Sequence, residues 1–292
     1  MAMTAIITGA GGQLGRELVR LAPAGLRLVA LDRAALDISN GAAVDAAFAA
    51  HAPDLVINAA AYNAVDLAET QADLAFAINR DGPANLAAAA LAHGADLVHV
   101  STDFVFAGRA RRPYGVRHEP RPAGVYAASK RAGELAVLRT YPGALVARTA
   151  WVFSPFARNF LKAILQRLVT AGEAQVVTDQ VGSPTAAGDL AQALWTLAAR
   201  RVGGLHHVVN SGEASRFTFA QEIASQAARL GLVPAGARIV PVRTADLPAT
   251  PARRPAYGVL DTRHTTRMLG APLRPWREAL SETLERIAAG ES

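Results

Sequence analysis

The chain has 292 residues, of which 51% are hydrophobic, so it is long enough to bury a core in one large domain or two smaller ones. It contains no cysteine, which excludes disulfides, thiolate metal sites and a cysteine nucleophile. The formal charge of +6 comes with arginines spread along the chain, so we expect no nucleic-acid partner. No apolar run reaches membrane-spanning length and we find no targeting signal, so we expect a cytoplasmic protein without a membrane partner.

Apolar runs of strand length alternate with alanine-rich stretches through the first half of the chain, which is typical of strand-helix-strand units. The run from Thr4 to Thr8 is continuous rather than alternating, which indicates a parallel strand buried on both faces. We predict strands at 4–8, 27–31, 54–58, 96–101 and 144–149. We predict helices at 12–22, 41–51, 71–92 and 124–140. The predicted fold class is therefore α/β, a doubly wound parallel sheet of the Rossmann type.

The second half of the chain is less regular. Prolines and glycines become frequent after about residue 150. We therefore assign residues 1–150 to a dinucleotide-binding domain and residues 151–292 mainly to a smaller C-terminal substrate-binding domain. A helix predicted at 188–200 has the length and the apolar face to pack back against the sheet of the first domain.

A glycine-rich turn, Gly9-Ala10-Gly11-Gly12-Gln13-Leu14-Gly15, follows the first predicted strand and precedes a helix. Glycines let the backbone approach a pyrophosphate, and the helix N-terminus offers free N–H groups, so this order predicts a dinucleotide site. Asp32, at the end of the second strand, can accept hydrogen bonds from the adenosine ribose and favours NADH by repelling a 2′-phosphate. Its neighbour Arg33 would pair with that phosphate and favour NADPH. The sequence leaves the cofactor as NADPH or NADH.

Tyr126 and Lys130 form the strongest catalytic signal. Lys130 is one of two lysines in a chain with twenty-eight arginines, which indicates a position that requires an ammonium. The two residues are four apart in a predicted helix, so their side chains share one face. An adjacent ammonium would lower the pKa of the tyrosine, and we predict that Tyr126 donates a proton to a carbonyl oxygen while Lys130 tunes it. The other lysine, Lys162, is interpreted as a surface residue.

Polar residues also follow the fourth predicted strand, at the edge where open parallel sheets bind ligands. We predict that the Thr102 hydroxyl contacts the substrate carbonyl as a third catalytic residue and that Asp103 binds substrate hydroxyls. A simple turn at the strand end is the alternative. Loop arginines such as Arg254 suit an anionic small molecule, because a planar guanidinium can hold two phosphate oxygens at once.

Seven segments together resemble the extended short-chain dehydrogenase/reductases and, within them, the dTDP-4-dehydrorhamnose reductase family. They are GAGGQLG at 9–15, NAAAY at 58–62, STDFVFAG at 101–108, YAASK at 126–130, RTAWVFS at 148–154, DQVGSPT at 179–185 and ARRP at 252–255. The first motifs are shared by many reductases and epimerases, whereas STDFVF, RTAWVF, DQVGSPT and ARRP in this order are more specific. The resemblance covers nearly the whole chain.

The resemblance implies an NAD(P)H-dependent reduction of the 4-keto group of dTDP-4-dehydro-L-rhamnose to dTDP-L-rhamnose, with Tyr126 as proton donor and Lys130 on the nicotinamide ribose. With the glycine turn, the predicted cofactor contacts are Gly9, Gly12, Gln13, Leu14, Gly15, Asp32, Arg33, Asp37, Ile38, Ala61, Tyr62, Asn63, Val100, Tyr126 and Lys130. The predicted substrate contacts are Thr102, Asp103, Trp151 and Arg254. Magnesium at a homodimer contact is known in the family, but no motif of this chain locates the metal.

Several residues depart from the family pattern. Asn63 stands where a threonine is usual, Leu67 where a lysine is common, and Tyr257-Gly258 where an Asn-Ser pair is common. These positions fall in predicted sugar-nucleotide loops, so a reductase of another 4-keto nucleotide sugar is an alternative.

Two further alternatives come from other activities. A nucleotide-sugar dehydratase usually carries an acidic pair after the strand-end threonine, whereas here Asp103 is followed by Phe104. A non-catalytic NADP-binding regulatory subunit would not need Tyr126 and Lys130. Both alternatives therefore rank below a reductase.

Overall fold

A computed structural model of the protein describes residues 2–292. Its strands are β1 (Thr4–Thr8), β2 (Arg27–Leu31), β3 (Leu55–Asn58), β4 (Asp96–Thr102), β5 (Leu145–Thr149), β6 (Val152–Phe153), β7 (Glu173–Val177), β8 (Val181–Gly182), β9 (Thr185–Ala186), β10 (Gly204–His207), β11 (Ala214–Ser215) and β12 (Arg238–Val242). Its α-helices are α1 (Gln13–Arg20), α2 (Gly41–His51), α3 (Val65–Ala68), α4 (Ala72–Phe76), α5 (Gly82–His93), α6 (Val125–Thr140), α7 (Phe160–Ala171), α8 (Ala187–Ala199), α9 (Arg216–Arg229), α10 (Arg263–Leu269) and α11 (Trp276–Ala288).

A parallel sheet in the order β2-β1-β3-β4-β5-β10 forms the centre of residues 2–292. Ile6 of β1 lies in register with Val29 of β2 on one side and with Val56 of β3 on the other. The strand order reverses between β1 and β3, and the crevice outside the carboxyl ends of such a pair is where open parallel sheets bind ligands. The predicted α/β doubly wound fold is confirmed.

Helices cover both faces of this sheet. Successive side chains of a strand point to opposite faces, so Ile6 and Ile7 belong to different cores. Ile7 packs with Leu18 of α1 and Leu190 of α8. Ile6 packs with Phe48 of α2 on the other face, where residues of α5 and α6 are also buried. The continuous apolar strands of the sequence are explained by this burial on both sides.

The predicted elements of the first half lie within two residues of the observed ones, with one irregularity. The helix predicted at 71–92 is observed as α4, a π-helical segment (Ala77–Asp81) and α5. The hydrogen-bond pattern widens there by one residue per turn, and this rotates Asn79 into the interior. Hydrophobic periodicity does not reveal such a turn.

The second half contributes to the central sheet as well as to a separate core. β10 pairs with β5 at the sheet edge, and α8 packs on α1. The strand at β10 was not predicted, because its four residues include a glycine and two histidines and follow another glycine. The division at residue 150 stays a prediction.

A second hydrophobic core lies beyond the carboxyl edge of the sheet. Phe219 of α9, Leu161 of α7 and Leu280 of α11 are fully buried in it, beside the paired strands β7 and β12. This core supports the wall that faces the end of β4. Among residues 2–292, no helix combines the length and the apolar character needed to cross a membrane.

Candidate active site

A cleft of about 680 Å³ lies outside the carboxyl ends of β1, β2 and β3. It coincides with the reversal of strand order, where a dinucleotide is expected. Many of the predicted cofactor contacts line it, namely Gly9, Gly12, Asp32, Arg33, Asp37, Ile38, Ala61, Tyr62 and Asn63.

The turn beside this cleft requires glycine for steric reasons. Gly9 has a φ of +67°, and a Cβ there would lie 2.6 Å from the backbone nitrogen of Ala60. A Cβ on Gly15 would overlap the Gly9 carbonyl oxygen and Ala10. The Gly12 N–H donates to the Gly9 carbonyl at 3.0 Å, which closes the turn against the start of α1. This compact backbone fits the pyrophosphate of a dinucleotide.

The far end of the cleft carries two carboxylates and one guanidinium. Asp32 accepts hydrogen bonds from the N–H groups of Ala34 and Ala35, both at 3.0 Å. Hydrogen bonds from Ser39, with a smaller contribution from the charge of Arg33, hold the pKa of Asp37 below its ordinary value. Arg33 is thus present at the adenosine end beside both acids. The loop keeps groups suited to NADH and groups suited to NADPH.

The other predicted cofactor contacts are not in the lining of this cleft: Gln13, Leu14, Gly15, Val100, Tyr126 and Lys130. Gln13 accepts a hydrogen bond from the Ser154 hydroxyl at 3.3 Å, across the junction with the second core. Leu14 is buried against the sheet. Val100 contributes its carbonyl oxygen to Lys130.

The predicted catalytic pair, Tyr126 and Lys130, lies at the start of α6. A Glu69 carboxylate oxygen accepts the Val125 N–H at 2.9 Å and so holds the first turn of this helix. One turn later, the buried Lys130 ammonium donates to the Val100 carbonyl at 2.7 Å. The buried Tyr126 hydroxyl donates at 3.4 Å to the side chain of Asn63, which lines the cleft. Tyr126 and Lys130 are therefore brought together with the end of β4, as expected.

Thr102 and Asp103 are buried where β4 ends. The Thr102 hydroxyl donates to the Asp103 carboxylate at 3.0 Å and accepts the Phe104 N–H at 3.1 Å. A Cβ on Gly258 would lie 2.6 Å from a carboxylate oxygen of Asp103, so glycine at 258 leaves that acid its space. The segment that follows the ARRP motif thus packs against the strand end.

Burial controls the proton affinities at this site. It raises the pKa of Tyr126 above its ordinary value, with the nearby Thr102 hydroxyl opposing and the charge of Asp103 adding to the effect. The lowering of this pKa expected from Lys130 is not seen, because removal of the phenol from water dominates. Burial also lowers the pKa of Lys130 to about 8 and raises the pKa of Asp103 to about 7. A tyrosine that keeps its proton at neutral pH can serve as a donor.

Comparisons with known proteins agree with this geometry. The sequence model described as RmlD substrate binding domain matches residues 3–289. The chain is 43% identical to a dTDP-4-dehydrorhamnose reductase of Mycobacterium tuberculosis, over 98% of this chain and 94% of that protein. The chain belongs to the dTDP-4-dehydrorhamnose reductase family. It is also 42% identical to a probable dTDP-4,6-dihydroxy-2-methyloxan-3-one 4-ketoreductase of Streptomyces antibioticus, over 98% of this chain and 96% of that protein.

A solved structure supports the family assignment at the level of the fold. The dTDP-4-dehydrorhamnose reductase of Bacillus anthracis, in complex with NADP, superposes with a TM-score of 0.92 at 35% identity, covering 98% of this chain and 100% of that one. The dinucleotide cleft and the strand end described above thus belong to the architecture of this reductase family.

Sequence reasoning missed Asn79 in this member of the reductase family. Its side-chain amide accepts the Tyr62 N–H at 2.9 Å and donates to the Tyr62 carbonyl at 3.1 Å. It also donates at 3.0 Å to the hydroxyl of Ser129, which in turn donates to the Tyr126 carbonyl at 2.8 Å. Asn79 therefore ties the cofactor wall to the catalytic helix. An asparagine within an alanine-rich helix was the available signal.

A buried ion pair behind the catalytic helix was also missed. Two Arg148 nitrogens donate to the two Glu134 oxygens at 2.6 and 2.7 Å, and neither side chain is exposed. Ser101 donates to the same carboxylate at 2.7 Å. Burial alone would raise the pKa of Glu134, but Arg148 outweighs it and the pKa lies below its ordinary value. In the sequence, Arg148 is notable only as the first residue of the RTAWVFS motif.

The predicted substrate residue Trp151 contacts an arginine that was not predicted, Arg216. The Arg216 guanidinium lies 3.7 Å from the centre of the Trp151 ring. Trp151 has a φ of +46°, and a Cβ on Gly182 would lie 2.5 Å from its indole ring, so the ring is tightly held. Arg254 pairs with Asp66 at 2.6 Å rather than pointing freely into the cleft.

Residues 2–292 do not form a recognisable metal site. Across the described residues, 2–292, no group of three or more histidine, aspartate or glutamate side chains is arranged to hold one. Divalent cations such as magnesium require several oxygen ligands, so the residues of this chain alone do not fit the magnesium implied by the resemblance. The homodimer stays a prediction.

Proposed function

We propose that the protein catalyses the NADPH-dependent reduction of the 4-keto group of dTDP-4-dehydro-L-rhamnose to dTDP-L-rhamnose. The observation that carries this proposal is the placement of Thr102, Tyr126 and Lys130 at the carboxyl end of β4, next to the dinucleotide cleft. Family membership supports the substrate, and the NADP in the Bacillus anthracis structure supports the cofactor. Residues 151–292 would mainly supply the sugar-nucleotide wall.

The proposed chemistry needs a proton at the carbonyl oxygen. Reduced nicotinamide, when bound, supplies the hydride to the keto carbon. Tyr126, which carries its proton at neutral pH, then gives that proton to the alkoxide that develops. The Thr102 hydroxyl stands beside it to orient the oxygen. Buried groups that are already in place lose little free energy to reorganisation.

Lys130 has a positioning role in addition to its charge. An ammonium has three N–H donors, and the Val100 carbonyl takes one of them at 2.7 Å. The remaining donors can bind the hydroxyls of the nicotinamide ribose. With its pKa lowered to about 8 by burial, Lys130 keeps its positive charge at neutral pH.

A reductase of another 4-keto nucleotide sugar is the second candidate. The Streptomyces antibioticus relative, at 42% identity, is named for a different dTDP-linked ketone. Asn63, one of the departures from the family pattern, accepts the Tyr126 hydroxyl and so lies within reach of the bound sugar. A change of sugar at this place would leave the proton donor intact.

The test compares several dTDP-4-keto sugars with NADPH and with NADH, following the loss of reduced-nicotinamide absorbance. We expect the highest kcat/KM for dTDP-4-dehydro-L-rhamnose with NADPH. Tyr126→Phe removes the proton donor and should lower kcat by roughly 10²- to 10⁴-fold. Tyr141→Phe, a tyrosine at the other end of α6, is the matched control and should retain activity.

The outcomes separate the parts of the proposal. Preference for another keto sugar would replace the substrate by the second candidate. Absence of turnover with every sugar would reject the reductase function. A Tyr126→Phe variant with nearly full activity would reject the proton-donor role alone.

A further inference from the structure

Arg216 lies against two aromatic rings, those of Trp151 and Phe160. It is the first residue of α9, and its backbone N–H donates to the Gln180 carbonyl at 2.9 Å. The guanidinium carbon lies 3.7 Å from the centre of the Trp151 ring and 4.8 Å from that of Phe160. These contacts fix the plane of the guanidinium and remove much of its hydration.

The edge of this guanidinium is not used by the protein. Stacking engages the face of the group, whereas its N–H donors point outward in the plane. Among residues 2–292, no carboxylate oxygen lies within 4.0 Å of the Arg216 nitrogens and no acceptor takes a side-chain hydrogen bond from them. Arg277 is the contrasting case, since it stacks on Trp276 at 4.3 Å and also reaches Glu222 at 3.4 Å.

Two charged side chains act on Arg216 from nearby. Burial lowers the pKa of Arg216 to about 10, the charge of Asp103 acts in the opposite sense, and the charge of Arg254 lowers it further. Arg254 already has both of its terminal nitrogens on Asp66, at 3.0 and 2.6 Å, so the unused donors are those of Arg216.

We propose that Arg216, stacked on Trp151 and Phe160, binds the diphosphate of the nucleotide-sugar substrate. A planar guanidinium whose donors have no protein acceptor can hold two phosphate oxygens at once. This inference rests on the proposed function, because it requires a nucleotide-linked substrate.

The pyrophosphate of the cofactor is a different group. It is expected at the turn of Gly9, Gly12 and Gly15, which follows β1. Arg216 instead lies with Trp151, which follows β5, and acts electrostatically on Asp103 at the end of β4. Arg216 thus marks the substrate side of the active site.

The experiment measures binding by calorimetry in the presence of saturating NADP. The probes are dTDP and thymidine, which share a nucleoside and differ by the diphosphate. The proteins are the wild type, Arg216→Gln, Arg216→Lys and the control Arg277→Gln, each checked for an unchanged Tm. We expect Arg216→Gln to weaken dTDP binding at least tenfold with no change for thymidine, and Arg216→Lys to recover part of the loss. Arg277→Gln should bind both probes as the wild type does.

Three results would overturn the subsite: unchanged dTDP affinity in Arg216→Gln, an equal loss of thymidine affinity, or no dTDP binding by the wild type. Turnover of dTDP-4-dehydro-L-rhamnose distinguishes this failure from failure of the proposed function. Loss of dTDP affinity in Arg216→Gln without any turnover by the wild type would reject that function and support the subsite. Full turnover by the wild type together with an unchanged KM in Arg216→Gln would support the proposed function and reject the subsite.

Discussion

Two arginines stacked on aromatic rings occupy regions of opposite character. Arg148, in the region behind the catalytic helix, lies 4.9 Å from the Phe106 ring and has a bidentate partner in Glu134. Arg216, at the start of α9, lies 3.7 Å from the centre of the Trp151 ring and has no carboxylate partner among residues 2–292. The aromatic contact alone therefore does not distinguish a structural arginine from a binding one.

The difference lies in what satisfies the charge. A buried cation that is paired and hydrogen-bonded stabilises a single arrangement, and losing its partner is costly. A cation whose N–H groups have no acceptor in the protein can donate those hydrogen bonds to a ligand. Helix α6 joins the two regions, because it carries Tyr126 and Lys130 toward the cleft and Glu134 toward Arg148.

The largest expected effect comes from breaking the paired region. Glu134→Ala leaves the Arg148 guanidinium buried without a counter-charge, and we expect it to lower the free energy of unfolding by about 3–5 kcal/mol. Denaturant unfolding would measure this loss. Glu119→Ala breaks the exposed pair with Arg121 and should cost less than about 1 kcal/mol.

A double variant sharpens the result. Glu134→Leu with Arg148→Met removes both charges together, so it should be more stable than Glu134→Ala. If Glu134→Ala costs no more than Glu119→Ala, the pair does not stabilise this end of the sheet.

A smaller effect is expected at Asp103, in the region without a paired arginine. Burial raises its pKa from 3.8 to about 7, so the folded protein holds this proton more tightly than the unfolded chain. The resulting contribution to stability is fully present below about pH 4 and is lost as the pH rises through about 7.

Asp103→Asn removes this titration. The free energy of unfolding of the wild type minus that of Asp103→Asn should fall by on the order of 3 kcal/mol between pH 4 and pH 7. Denaturant unfolding at a series of pH values, without nucleotide, measures it. A difference that does not change with pH, or that rises, would contradict the raised pKa.

Of the three changes, Lys130→Arg should have the smallest effect when each is expressed as a free energy. Its effect is on activity rather than on stability. It keeps the positive charge but places a larger planar group where the ammonium is 2% exposed and bonded to the Val100 carbonyl. We expect kcat/KM to fall at least tenfold. Lys162→Arg is the control, since that half-buried lysine donates to the Pro155 carbonyl away from the strand end, and it should stay within twofold. An active Lys130→Arg would show that the scarcity of lysine did not reflect a need for the ammonium.

The sequence predicted the regular part of the molecule well because each signal there is local. Continuous apolar runs predicted β1 and β2 with the bounds observed, and the glycine spacing predicted a turn whose steric need for Gly9 and Gly15 is now evident. The spacing of Tyr126 and Lys130 likewise placed both on one face of α6. Strand β10 and the π-helical turn at Asn79 left no periodic signal, so neither was predicted.

The sequence by itself determined the fold class and the family, and it predicted the catalytic pair, because propensity, periodicity and motif spacing act over a few residues. Only the tertiary structure decided the proton affinities and the partners of the arginines. Burial raises the pKa of Tyr126 where an adjacent lysine alone would lower it. Arg148 and Arg216 are the same type of residue, and their environments differ in whether folding brings a carboxylate to the guanidinium. Glu134, fourteen residues away in the chain, pairs with Arg148.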